Sequence, residues 1–211
     1  PAKSVYIYSK PEWTALVTKP ASLIKTVADL KGKRIAAARG TDPHVFLIRA
    51  LAEAGMTPKD VTIVVMAHAN GKAAMEAGDV DAWAGLDPMM AEAEVNGTGR
   101  LFYRAPDFNS YGILNVSIDF AKKYPALVKR VLGAYEQARL WSIAHPDELT
   151  ALMVEATGMP KAVVAKQLTE RTDLKDPVIG PKVRTAILAA GVTLQKEEAV
   201  PSTVDMAATV D

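Results

Sequence analysis

The sequence predicts an α/β fold in two lobes, and three observations carry that reading. Strand-like and helix-like stretches alternate between residues 33 and 104. One of them, VTIVVM at 61–66, is almost wholly apolar, the type expected of a parallel-sheet strand covered on both faces. After residue 104 comes one more β-rich run, YGILNVSI at 111–118, and the chain then turns helical.

The elements follow in order. SVYIYS (4–9) and WTALVT (13–18) are β-rich and separated by Lys10-Pro11-Glu12. TVADLKG (26–32) reads as a short helical turn ended by Gly32. Ile35 to Ala38 is a strand, Gly40 permits a tight turn, and a helix runs over 43–54 to Gly55. Its apolar face is Val45, Phe46, Ile48, Ala50, Leu51 and Ala54. Asn70 is placed to cap a helix over 71–77 that stops at Gly78. VDAWAG (80–85) is a strand, PMMAEAEV a helix stopped near Gly97, and RLFYR (100–104) a strand. Residues 124–144 form a long amphipathic helix, with Leu127, Val128, Val131, Leu132, Tyr135, Ala138 and Leu140 at helical spacing. Further helices follow at 147–158, after Pro160, and from Pro181 to about Ala190; the tail from Glu197 is weakly patterned and expected to lie over a surface.

The segments 4–18 and 111–118 are expected to share one sheet. Lobe one is then residues 1–22 with 107–211, and lobe two is 23–106, inserted between them. Two crossings make a hinge and a cleft, and ligands favour such places outside the carboxyl ends of parallel strands.

Composition narrows the function. The 211 residues hold 25 Lys and Arg against 24 Asp and Glu, a net charge of +1. That balance gives no electrostatic case for nucleic acid or a membrane surface. There is no cysteine, which removes disulfides, thiol nucleophiles and zinc–thiolate sites. The histidines, His44, His68 and His145, share no metal-ligand spacing, so no metal is expected. No GxSxG, P-loop or GxGxxG occurs, and neither catalysis nor a cofactor is expected. The chain opens at Pro1 on the approach to a strand, which reads as a processed chain or a fragment.

The turn Gly40-Thr41-Asp42-Pro43-His44 is the best binding candidate. A helix N-terminus offers free N–H groups and a positive dipole end to a sulfonate, carboxylate or nitrate, and Thr41 adds a hydroxyl. The competing reading is a helix capped by its own Asp42, with Pro43 at the first helical position and nothing bound. Asp87-Pro88 repeats that device: Asp87 is an N-cap or a cleft residue that pairs with an amine or a water. Trp83 is core or an aromatic wall. Trp13, between polar neighbours, and Tyr111, after Asn109-Ser110, are candidates to line a ligand's organic tail.

The stretches SLIKTVADLKGKRIAAARGTDPHVFLIRALAEAGMTPKDV, GKAAMEAGDVDAWAGLDPMMAEAE and DFNSYGILNVSIDFAKKYPALVKRVL resemble the aliphatic-sulfonate and taurine/nitrate branch of periplasmic solute-binding proteins of ABC importers. The resemblance implies a type II periplasmic-binding fold whose lobes close on a small organic anion. It implies export to the periplasm and delivery to an inner-membrane permease. It places Gly40, Thr41, Asp42 and His44 at the anionic head, sets Trp83 to Asp87 near the same cleft, and makes Asn109, Ser110 and Tyr111 hinge-side candidates. Relatives begin with a strand-helix-strand segment that has no counterpart here, so lobe one is expected to be incomplete; the intact protein is expected to be a monomer. Two other functions share this architecture. One is the effector-sensing domain of a regulator. The other is a pyrimidine-precursor synthase, against which the lack of cysteine and the dispersed histidines argue.

Overall fold

The computed structural model describes residues 2–208. They divide into two compact units. Unit one comprises the residues up to Pro11 and Tyr111–Arg184; unit two comprises Glu12–Ser110 and the residues from Thr185 on.

Unit two is built on a five-stranded sheet. Its strands are β2 (Leu16–Thr18), β3 (Arg34–Ala37), β4 (Thr62–Val65), β5 (Ala82–Ala84) and β6 (Arg100–Tyr103), in the order β4-β3-β5-β2-β6. β3 pairs in parallel with β4 and β5, while β2 runs antiparallel to β5 and β6. Side chains alternate between faces along a strand, so one run of apolar residues feeds two cores. Ile35 and Ala37 join Leu16, Ala82 and Ala84 under α1 (Asp42–Glu53), where Phe46, Leu47, Ala50 and Leu51 are fully buried. Ala36, Val17 and Trp83 point the other way. There they meet Met75 of α2 (His68–Ala77) and Met90 of α3 (Met89–Val95). Each of the larger apolar side chains here, such as Phe46, Leu47 or Met75, contributes roughly 1.5–3 kcal/mol when taken wholly out of water.

Unit one is thinner. β1 (Ala2–Pro11) lies between β7 (Gly112–Ser117) and the two-residue β8 (Thr172–Asp173), antiparallel to both. Around them stand α4 (Ile118–Lys123), α5 (Pro125–Ala144), α6 (Pro146–Thr157) and α7 (Lys161–Arg171). The first turn of α8 (Pro181–Lys196) belongs to unit one and the rest of that helix to unit two. Tyr6, Ile7, Val163, Val164 and Val183 are the buried apolar residues here.

Several expectations are corrected. Residues 4–18 do not feed one sheet with 111–118. β1 continues through Lys10 and Pro11 and pairs with β7, whereas β2 sits inside the other sheet, between β5 and β6. The units accordingly divide at Pro11/Glu12 and Ser110/Tyr111, and the C-terminal stretch goes with unit two. β4 is an edge strand, and Val65 is 63% exposed, so its apolar run does not signify cover on both faces. α2 starts at His68 after an extended Ala67, which places Asn70 inside the helix and not at its cap; Gly78 ends it in the left-handed conformation, as expected. The stripe along α5 does not enter a core. The one buried residue of that helix is Arg139, while Leu127, Val131, Tyr135 and Leu140 are each at least 40% exposed.

Candidate functional site

The carboxyl end of β3 leads into the turn that the sequence singles out. Gly40 adopts φ +77°, a conformation L side chains resist, which lets the chain reverse into α1. Thr41 is the N-cap, with extended backbone (φ −105°, ψ 169°), but its hydroxyl does not cap. It donates instead to the Ala38 carbonyl at 2.6 Å. Asp42 is therefore the first helical residue and Pro43 the second, so the helix starts one residue earlier than the sequence suggested. The first helical bond runs from Val45 N–H to the Thr41 carbonyl. The N–H groups of Asp42 and His44 take no partner among the described residues, as the opening turn of a helix leaves them, and Pro43 has none to offer.

Asp42 does not cap the helix. Its Oδ2 accepts from the Ser110 hydroxyl at 2.7 Å, and the same hydroxyl oxygen accepts from Trp13 Nε1–H at 3.1 Å. The helix end thus faces a short relay, Trp13 to Ser110 to Asp42, assembled from three distant parts of the chain.

His44 is 4% exposed. Its Nδ1 accepts from Gly40 N–H at 3.4 Å, which puts the ring proton on Nε2. Burial pushes its pKa below the ordinary 6.5, the Glu197 carboxylate opposes that and Arg39 adds to it. The imidazole is therefore neutral at neutral pH. Arg39, exposed beside the turn, donates to the Glu197 carbonyl at 3.1 Å, so the C-terminal stretch reaches the mouth of α1.

The remaining candidates separate. Asn109 is 2% exposed and fully engaged. It accepts from the Thr14 N–H (2.8 Å) and hydroxyl (3.2 Å), and it donates to the carbonyls of Thr14 and Ala105. It clasps two chain segments, the one carrying Thr14 and the one carrying Ala105. Trp83, at 1% exposure, is in the core against Gly71 and cannot wall a ligand. Asp87 accepts from Ala91 N–H at 2.9 Å, which is a capping contact on α3 made from the position before the N-cap, Pro88. Its own N–H bonds the Trp13 carbonyl at 2.8 Å and fixes the neighbouring backbone. Tyr111 belongs to unit one, where it borders a cavity of about 440 Å³ with Lys10 and Asp173, the Lys10 Nζ lying 5.6 Å from the ring centre.

Two contacts escaped sequence reasoning, and a third residue was noticed only as a histidine without metal-ligand spacing. The Glu12 carboxylate, 7% exposed, receives Nε and Nη2 of Arg104 at 2.8 and 2.6 Å, although the residues stand 92 apart. The Arg39–Glu197 contact spans 158 positions. His68 opens α2, and its buried Nδ1 has no hydrogen-bond partner among the described residues. No local motif marks either long-range contact. Among the described residues no group of three or more His, Asp or Glu is placed to hold a metal ion, and no helix is long and apolar enough to cross a membrane.

The mixed α/β architecture is that of the periplasmic binding proteins, and comparison with known structures agrees. The chain belongs to the NMT1/THI5-like family, whose model matches residues 1–149. It is 29% identical over 198 residues to a protein of Escherichia coli (strain K12) named for aliphatic sulfonates; the match takes in 93% of this chain and 62% of that relative's length. It superposes on the crystal structure of the periplasmic aliphatic sulphonate binding protein SsuA from Escherichia coli with a TM-score of 0.82 at 30% identity, covering 95% of this chain and 67% of that one. The alkanesulfonate-binding protein SsuA from Xanthomonas axonopodis pv. citri, bound to MOPS, gives 0.78 at 27% identity, covering 99% and 73%.

Proposed function

We propose that this chain is the binding portion of an ABC-importer solute-binding protein that captures a small organic sulfonate in the periplasm and presents it to an inner-membrane permease. The observation that carries the reading is the open end of α1. Both side chains able to cap it are engaged elsewhere, Thr41 on Ala38 and Asp42 on Ser110, while the N–H groups of Asp42 and His44 take no partner among the described residues. Together with the dipole, these donors suit one oxyanion head. Trp13, half-buried and held by Ser110, stands within the same relay and offers apolar surface for a tail. The names of the sulfonate-binding relatives support the ligand class. Binding without catalysis is favoured by a sequence that has no cysteine and by histidines lying apart in α1, α2 and the turn before α6.

Isothermal titration of the 211-residue chain with ethanesulfonate, taurine, MOPS and nitrate tests this. At least one sulfonate is expected to bind saturably. Asp42→Pro then removes one of the two donors while leaving a residue that suits the first helical position. It should weaken that sulfonate about tenfold or more, the scale of a hydrogen bond to a charged group. The reading fails if no sulfonate binds, or if Asp42→Pro binds as tightly as the parent.

A further inference from the structure

A carboxylate at the start of a helix is a rival to any incoming anion, because it is drawn to the same N–H groups. Asp42 is such a residue, exposed and in the first turn of α1. Its one polar contact among the described residues draws it away, to the Ser110 hydroxyl at 2.7 Å. Ser110 is itself held from two sides. Its oxygen accepts from the Trp13 indole at 3.1 Å, and its chain neighbour Asn109 is locked in the interior by Thr14 and Ala105. Trp13 is fixed in turn through its carbonyl, which accepts from Asp87 N–H at 2.8 Å.

We propose that Ser110 is a positioning residue: it keeps the Asp42 carboxylate off the end of α1, so that the His44 N–H is left for the oxyanion of a ligand. The inference deepens the sulfonate-binding reading and rests on it for the ligand, but its structural half stands apart from any ligand. Losing the Ser110 hydroxyl frees the carboxylate to swing onto the His44 N–H, and the helix then caps itself. Ser110 is also the last residue of unit two before the chain passes to Tyr111 in unit one, so the contact lies at the end of a connecting segment.

Two readouts test this. The first needs no ligand. The His44 amide proton is followed by NMR while Asp42 is titrated, in the parent and in Ser110→Ala. It should move downfield with ionisation of Asp42 in Ser110→Ala and stay still in the parent and in Ser110→Thr, which keeps a hydroxyl. The second uses the sulfonate from the panel above that binds the parent most tightly. Ser110→Ala should weaken it about fivefold, the scale of one helix cap. Adding Asp42→Ala, which removes the rival but keeps the backbone donor, should restore it to within about twofold of the parent. A purely structural role for Ser110 would not be rescued in that way. The proposal is overturned if the His44 amide behaves alike in parent and Ser110→Ala, or if Asp42→Ala fails to restore binding. If the parent binds no sulfonate, the functional reading falls, and the amide titration still decides the role of Ser110.

Discussion

Unit two and unit one carry similar proportions of apolar residues to different effect. In unit two both faces of the sheet are covered, α1 on one side and α2 with α3 on the other, and residues such as Phe46, Leu47, Ile35 and Met75 reach 0% exposure. In unit one the twenty residues of α5 bury a single side chain, the cation Arg139. Tyr135 of that helix packs edge-on against Tyr6, and Val128 and Val131 border a cavity of about 350 Å³ beside Val5, Leu114 and Phe120. What fastens α5 is mainly polar. Arg139 is bidentate to Glu136 at 2.8 Å, donates to the carbonyls of Leu174 and Lys175, and shares Glu136 with the Tyr6 hydroxyl at 2.7 Å. Unit two is held together by burial, whereas this part of unit one depends on a buried cation and its acceptors.

The largest expected effect follows from unit two. Trp83 is 1% exposed and lies so close to α2 that a Cβ on Gly71 would stand 2.8 Å from its ring. Trp83→Ala leaves a cavity that neither the sheet nor α2 can easily fill. It should cost about 3–5 kcal/mol, read from urea unfolding followed by circular dichroism. A loss below about 1 kcal/mol, the range of a peripheral site, would show that the two-faced core is not what stabilises the unit.

The same contrast explains what the sequence could disclose. The strand-turn-helix around Gly40 was legible because every cue is local: an apolar run, a glycine, a proline and a helical stripe follow one another between Ile35 and Ala54. The edge position of β4 was not legible, since periodicity reports apolar residues and not which neighbours arrive to cover them. The apolar stripe of α5 misled for the same reason. At the site, the turn was found but the capping residue was misplaced by one. An aspartate before proline looks like an N-cap, and only Ser110, 68 positions away, shows why it is not. Trp83 and Asn109 were chosen for their chemistry, yet packing and hydrogen bonding place both inside. The division at Pro11/Glu12 was hidden because β1 runs straight through Lys10 and Pro11, where composition suggested a break.

A second prediction sharpens the polar side of the comparison. Hydrogen bonds from Arg139 foremost, and from Tyr6, hold the Glu136 carboxyl down at about 2 against an ordinary 4.5. A carboxyl whose pKa is lower in the folded state stabilises the fold fully above its unfolded value. That contribution fades as pH falls from there toward the folded value. Melting temperatures of the parent and Glu136→Gln should therefore differ most at pH 6 and draw together between about pH 4.5 and 2. A gap that persists unchanged through this window would mean that the charge of Glu136 is not what fastens α5.

The smallest effect is expected where the apolar stripe lies open. Leu140 is 52% exposed, and on a helix that buries only Arg139 it sits where a core position would normally be. Leu140→Ser removes apolar surface that is half in water already and leaves no cavity, so unfolding of the 211-residue chain should change by no more than about 0.5 kcal/mol. The comparison with Trp83→Ala is then direct: both are large apolar residues on elements the sequence marked as core, and they differ in what covers them. A loss of 2 kcal/mol or more, the cost of emptying a buried leucine site, would mean that α5 is covered in solution and that its exposed face is not the state in which the chain exists.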